Sequence, residues 1–403
     1  SFYLGVPAPL TNGGLNEHGV AVRDIWSTSC QALIDMTPKD QTGPNYSDLA
    51  RIVMERATTA REGVELIGSL IAAHGYSTYG GNSHFIADPD EAWVVIEYAG
   101  GKGLWCAERI GADDIRASRP GYIGEVPVDD PDHGDFLYAP NFRSVAIEEG
   151  WWSPDKGVSF NANLIYGDGK MRWDGVAWIE EEMRRRAARP EKISITDMMW
   201  AIRTEKLTGD TAGYGQVVKL HHPEHTELRH IWHTQIGAIA APFVPVFMGC
   251  TEVPEEFRQH RYLTTGEDAR FLNDRHATDD DASSVSTVPQ GIESTRSATV
   301  IFKRLLYLIL QRHEDYLAEI TTIWEAVEGR LLADHPDVVK TARVLLDAGE
   351  TDLASRHLTY YCGTELLAAL ELAETLCAAI EATTRAFHGI SVDMTPRSAE
   401  QVW

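Results

Sequence analysis

The chain has 403 residues, 43% of them hydrophobic and 24% charged, which is the composition of a globular protein with one large or two ordinary domains. Its 60 acidic residues against 36 basic ones give a net charge of −24. Such a surface repels nucleic acids and anionic membranes, so we expect neither as a partner. The longest apolar run, residues 236–250, is too short to span a bilayer and contains Pro242 and Pro245.

The cysteines are few and scattered, and no C-x-x-C pair is present to indicate a zinc ribbon or a redox motif. They are Cys30, Cys106, Cys250, Cys362 and Cys377. This set fits a reducing compartment better than a disulfide framework. Residues 1–10 show neither a basic start nor a long apolar core, so no signal peptide is expected and the prediction is a cytoplasmic protein.

The first third of the chain has a mixed pattern. Apolar residues recur at helical spacing from Leu49 to Ile71, with Asp48 as the predicted N-cap. Residues 92–98 read as a buried strand, residues 99–103 as a turn, and residues 104–110 as the partner strand. A tight hairpin means antiparallel pairing, which argues against a doubly wound nucleotide-binding fold.

The later elements separate strands from helices. Helices are predicted at 176–189 and 196–204, strands at 216–220, 227–233 and 236–248, and further helices at 297–332, 337–348 and 363–388. The corresponding domain prediction is a core at 1–275, a polar linker at 276–296, a helical part packing on the core at 297–390 and a tail at 391–403. This order of elements predicts an α+β protein with an antiparallel sheet.

Two segments couple a Gly/Asn turn to a β-branched run: GGLNEHGVAV at 13–22 and GNSHFIADPDEAWVVIE at 81–97. In that order and separation they resemble the C69-like dipeptidase and secernin branch of the N-terminal-nucleophile hydrolases. The resemblance implies an αββα sandwich, in which two antiparallel sheets lie face to face between helices, followed here by a long helical C-terminal part. It also implies an amide hydrolase that works through an acyl-enzyme and needs no metal or organic cofactor.

The same resemblance suggests which residues form the substrate site. It places the turn of Asn16 and Glu17 beside the substrate pocket, although a plain turn is the alternative. It carries Asn82 and His84 into the pocket as well; the alternative is another turn into a strand, with His84 half buried. The remaining two residues are arginines.

Arg109 could hold a carboxylate, or it could make a salt bridge at the end of its strand. Arg119 lies where the relatives place an asparagine able to serve an oxyanion hole. That departure leaves room for a different oxyanion donor or for altered chemistry.

The nucleophile of this superfamily is the first residue of the mature chain, a cysteine in this branch. Ser1 could take that role with its own α-amine as the base, because an unperturbed α-amine has a pKa of about 7.7–8.0. The alternative is that Ser1 is only where the sequence begins. Residues 2–7 resemble an interior strand of the family, which favours a nucleophilic cysteine upstream or on a separately cleaved N-terminal chain.

Two further clusters are interpreted as structural. Five histidines lie at 221, 222, 225, 230 and 233, but without an H-E-x-x-H pattern they read as strand or interface residues. The acidic segment 129–135 reads as a solvated loop in preference to a calcium site. No metal site is therefore predicted.

Three functions compete on this sequence. The first is a dipeptidase-type hydrolase of small peptides or amino-acid amides. The second is an acyltransferase or amide-forming relative in small-molecule biosynthesis, and the third is an inactive secernin-like binding protein. A homo-oligomer is expected because of the long helical end.

Overall fold

A computed structural model describes residues 13–78, 80–118, 122–130, 132–170, 174–207, 214–235, 237–257 and 296–389. Ser1, Arg119, nearly all of the predicted linker at 276–296 and the tail at 391–403 lie outside these residues. The described chain divides into two compact units: 13–207 with Val217–Ile231, and 214–216 with 232–389. The predicted domain boundaries stay a prediction.

The first unit contains a six-stranded sheet in which each strand pairs antiparallel with the next one along the chain. Its strands are β1 (Gly13–Leu15), β2 (Ala21–Trp26), β3 (Asn82–Ala87), β4 (Ala92–Glu97), β5 (Trp105–Ile110) and β6 (Phe136–Tyr138). The predicted β4–β5 hairpin is present, and this sheet contains no parallel pair. The α+β class is confirmed, whereas the sandwich of two facing sheets stays a prediction.

The first unit also carries seven α-helices among its described residues. They are α1 (Gln31–Met36), α2 (Tyr46–Arg56), α3 (Ala60–His74), α4 (Phe142–Glu148), α5 (Ala162–Ile165), α6 (Asp174–Ala187) and α7 (Ile195–Arg203). One-turn 3₁₀ helices lie at Pro154–Lys156 and Thr226–Leu228.

The segment predicted as one helix with Asp48 as its N-cap is two helices. Asn45 is the N-cap of α2: its side chain accepts from the backbone N–H of Ser47 and Asp48, while Asp48 completes a capping box from the third helical position. The second helix begins after Thr59, whose hydroxyl accepts from Glu62 N–H. The apolar residues keep the same helical spacing across the break, so the periodicity of the sequence did not show that the segment forms two helices.

Helices α2 and α3 cover one face of the sheet. Val22, Ile86 and Trp93 lie on that face and are at most 3% exposed. A methyl group at Gly68 of α3 would lie 2.2 Å from the Trp105 ring, so the helix can approach this closely only with glycine there. The same face of the sheet also carries the polar residues Asp24, His84 and Glu97.

The second unit is mainly helical. It holds most residues of a three-stranded sheet with the order β7 (Gly215–Val217), β8 (His230–Thr234) and β9 (Val244–Phe247). Its helices are α8 (Ala298–Gln311), α9 (His313–Asp347) and α10 (Thr351–His388), and 3₁₀ turns lie at Ala238–Ala240 and Glu255–Phe257. Among the described residues, no helix is long and apolar enough to cross a membrane.

The predicted helix boundaries in this unit were wrong at three places, one of which is the start of α10, at Thr351 and not at 363. Pro336 lies inside α9, where a break was predicted, and the chain breaks instead at Arg312. A proline removes one backbone hydrogen bond, but Leu331 and Ala342 on either side of it are completely buried, so packing holds both halves in one helix.

Candidate functional site

Buried polar side chains concentrate at one end of the six-stranded sheet, where β2 ends and β3 begins. All are at most 9% exposed: Asp24, Ser27, Ser29, Thr78, Asn82, His84 and Glu97. We call this set the polar end of the sheet. Because each buried polar group must recover the hydrogen bonds it loses from water, such a concentration requires a defined network.

Strand register brings four of these side chains together. Asp24 of β2 lies opposite His84 of β3, and Asn82 of β3 lies opposite Glu97 of β4. Alternation along a strand puts all four on the face that α2 and α3 cover. His84 is therefore fully buried, and the alternative of a half-buried side chain was wrong because the start of α2 lies over it.

His84 and Glu97 form a completely buried pair. His84 Nδ1 lies 2.7 Å from Glu97 Oε1, and neither side chain has any exposed area (0% each). His84 Nε2 lies 2.9 Å from the carbonyl oxygen of Tyr46. Since a carbonyl can only accept, Nε2 carries a hydrogen and donates, which leaves one further proton shared between Nδ1 and Oε1.

The surroundings favour a proton on this pair. Burial lowers the pKa of His84, but the Glu97 carboxylate and the Tyr46 carbonyl outweigh burial and raise it overall. Burial raises the pKa of Glu97, and His84 opposes that shift only in part. The second carboxylate oxygen, Oε2, is buried without a hydrogen-bond partner among the described residues.

Tyr76 belongs to the same environment. Its side chain is 7% exposed, and burial together with the charge of Glu97 raises the pKa of its phenol well above the usual value. The Tyr76 phenol, which lies near Glu97, therefore stays neutral. Neither residue was predicted as part of a site, although Glu97 was visible as the one charged residue ending the apolar run of β4.

The loop leading into β3 is fixed against the polar end. Gly81 has φ +98°, and a methyl group there would lie 2.6 Å from Ser29 Oγ and 2.7 Å from the Ser27 carbonyl. Thr78 Oγ1 accepts from Gly81 N–H at 2.9 Å, and Ser29 Oγ accepts from Ala99 N–H at 2.9 Å. Glycine is required because both the backbone angle and the space exclude a Cβ.

Asn82 is the predicted site residue that joins His84 in the polar end. It is 4% exposed, and its Nδ2 donates to the Ser83 carbonyl at 3.2 Å. That bond occupies one of the two amide hydrogens.

Asn16 lies in the turn between β1 and β2, at the other end of the sheet. Its Nδ2 donates to the carbonyls of Met54 (3.2 Å) and Ala57 (2.8 Å), and its Oδ1 accepts from His18 N–H (3.0 Å) and Val20 N–H (2.9 Å). The amide thus ties this turn to the end of α2. It could donate to a substrate only by giving up one of these bonds.

Glu17 and Arg109 lie at this same end and are solvent-accessible. Glu17 Oε1 is 3.9 Å from His18 Nε2, with 65% of its side chain exposed. Arg109 Nε lies 2.9 Å from Asp135 Oδ1 and its Nη1 lies 3.7 Å from Glu91, which is the strand-end salt bridge that the sequence left open. A six-residue strand spans about 17 Å, so the predicted site residues fall into two separate groups.

The histidines after β7 have local partners. His221 Nδ1 donates to the Lys219 carbonyl at 2.8 Å, and His222 Nε2 lies 3.1 Å from Asp90. No group of three or more His, Cys, Asp or Glu side chains is placed to hold a metal ion within the described part of the chain.

Known proteins resemble the part of the chain that builds the polar end. Residues 8–174 match the sequence model of peptidase family C69. The resemblance to the C69 dipeptidases is confirmed for this segment. The chain is also 32% identical over 164 residues to the probable dipeptidase B of Lactococcus lactis subsp. lactis (strain IL1403). That alignment covers 40% of this chain and 33% of the relative, so the chain matches about a third of the relative's length.

Proposed function

We propose that this protein is an amide hydrolase of dipeptidase type that cleaves small peptides or amino-acid amides. The observation that carries the proposal is the match of residues 8–174 to peptidase family C69. All six strands of the large sheet and every residue of its polar end lie within 8–174.

The proposed reaction passes through an acyl-enzyme. A nucleophile attacks the carbonyl carbon of the substrate, the C–N bond breaks, and the amine leaves with a proton; water then hydrolyses the acyl-enzyme and releases the acid. The proposed nucleophile is the first residue of the mature chain, which is Ser1 only if the mature chain begins there. Ser1 lies outside the described residues.

The polar end supports roles for three residues. Asn82 has an amide hydrogen left after its bond to Ser83, and we assign it the donation to the developing oxyanion. His84 and Glu97 are completely buried, so they act by holding the start of β3 and the end of β4 in register around Asn82. They are positioning residues in this proposal.

The test is hydrolysis of a panel of dipeptides and amino-acid amides by the complete purified protein, followed by quantifying the released amino acids. Asn82→Ala is expected to lower kcat by about 10²-fold, the usual cost of one oxyanion donor. Asn141→Ala is the matched control, because its amide also donates to a backbone carbonyl, that of Lys102, but outside the polar end.

Two results would count against the proposal. One is the absence of hydrolysis across the panel by wild-type protein, and the other is transfer of the acyl group to an added amine in place of water. Equal losses of kcat in both asparagine variants would remove the role assigned to Asn82.

A further inference from the structure

A small open pocket lies on the first unit, away from the polar end. It is lined by the β1–β2 turn on one side and by the segment 218–230 on the other. Four basic side chains line it: Lys219, His221, Arg229 and His230. In a chain with net charge −24, a pocket lined by four basic side chains is unusual.

The backbone of Arg229 is fixed beside this pocket. Its N–H donates to the Thr226 carbonyl at 3.0 Å, and the preceding Leu228 is only 4% exposed. The guanidinium lies over Gly19: a methyl group there would be 3.2 Å from each of Cζ, Nε and Nη2. Gly19 has φ +87°, so the turn favours glycine, and the absence of a side chain admits the guanidinium.

Within the described part of the chain, the guanidinium of Arg229 has no counter-charge. Its Nε is buried without a hydrogen-bond partner, and no carboxylate pairs with it among the residues that the structure describes. Other arginines of the same unit are paired, such as Arg61 with Glu65 and Arg116 with Glu108. An arginine remains charged at any physiological pH, so an unpaired guanidinium that lines an open pocket favours an anion there.

We propose that this pocket binds a small oxyanion, a carboxylate or a phosphate group, through Arg229 with help from Lys219. The guanidinium offers forked donors that match two oxygens of such a group, and the exposed Lys219, which also lines the pocket, adds a point charge. The pocket is small and open and has eight lining residues, which suits one anionic group more than a whole peptide. The proposal does not depend on the proposed hydrolase activity.

The test follows the Nε–H signals of protein labelled with ¹⁵N-arginine by NMR. Arg229→Gln identifies the Arg229 signal by its disappearance. Sodium phosphate and sodium acetate are then titrated into the wild-type protein, with sodium chloride at matched ionic strength as the reference. We expect the Arg229 signal to shift saturably with at least one of the two oxyanions and not with chloride.

Two variants distinguish binding at a specific site from a general effect of the charge of the protein. Lys219→Gln, at an exposed side chain, should weaken the affinity measured at the Arg229 signal by about threefold or more. Arg185→Gln removes the same charge from an arginine that is 69% exposed and paired with Glu182, and it should leave the affinity unchanged. Retained folding of each variant is checked by circular dichroism.

The two ligands distinguish the sources of the anion. Shifts with acetate point to a carboxylate, such as the end of a peptide, whereas shifts with phosphate alone point to free phosphate or a phosphorylated molecule. An Arg229 signal that responds to neither oxyanion, or equally to chloride, overturns the proposal. Equal weakening in Arg185→Gln and Lys219→Gln overturns it too.

Discussion

His84 and Glu97 lie thirteen positions apart on neighbouring antiparallel strands and meet in a completely buried contact of 2.7 Å between Nδ1 and Oε1. The register pairs Asn82 with Glu97 and His84 with Val95, so the two charged groups are diagonal neighbours on one face. Helix α2 contributes the Tyr46 carbonyl as the second partner of the imidazole. One ionisable pair therefore joins two strands and a helix.

Removing one member of this pair should be strongly destabilising. Glu97→Ala leaves His84 Nδ1 buried without its partner, and we expect the free energy of unfolding to fall by about 3–5 kcal/mol. The matched control is Glu65→Ala, since Glu65 Oε1 also lies 2.9 Å from its partner, Arg61 Nε, but is 57% exposed. That control should cost less than about 1 kcal/mol. Urea denaturation of both variants measures the difference, and similar losses would contradict the structural role of the buried pair.

The stability contribution of His84 should decrease as pH rises. Its pKa in the folded protein is raised above the ordinary value of 6.5, so the folded state binds more protons than the unfolded chain between those two values. The contribution is thus fully present below about pH 6.5 and is lost as pH rises through the folded pKa. The raised pKa of Glu97 acts in the same direction, from 4.5 upward.

The check is urea denaturation, from about pH 5 to about pH 9, of wild-type protein and of the double variant His84→Gln/Glu97→Gln, in which neither side chain of the pair titrates. The gap in unfolding free energy between them should narrow as pH increases. A gap that widens with pH would mean that the pair does not favour the bound proton.

Gly81 should be intolerant of any side chain. In Gly81→Ala the new methyl group meets Ser29 Oγ at 2.6 Å and the Ser27 carbonyl at 2.7 Å, with the backbone at φ +98°. We expect a loss of about 1–3 kcal/mol from the backbone strain alone. Gly134→Ala is the control, because nothing lies within 4 Å of its added methyl group. Thermal denaturation compares the two, and equal melting temperatures would show that the loop into β3 is not fixed against the polar end.

Local sequence patterns predicted the local parts of the fold. The β4–β5 hairpin was predicted because strand and turn signals adjoin along the chain. The break between α2 and α3 was missed because Asn45 and Thr59 cap two helices inside one continuous apolar period. Pro336 was read as a break because sequence alone does not show the packing on either side of it.

The candidate site was predicted only where the family resemblance reached it. Asn82 and His84 were predicted, but Glu97 and Asp24 join them through strand register, which no single segment specifies. Asn16 was assigned to a pocket, whereas its amide makes four internal hydrogen bonds, two of them to the carbonyls of Met54 and Ala57 at the end of α2, about forty residues away. Its role in substrate binding stays a prediction.

The most direct test of the proposed chemistry is to locate the acyl group. The complete protein from its native source is treated with an acylating dipeptide analogue, and the adduct is mapped by intact mass and peptide mass spectrometry. The account predicts one adduct per active protein on the first residue of the mature chain, and protection by a hydrolysed dipeptide. Dipeptide hydrolysis by a protein whose N-terminal residue stays unlabelled would contradict it.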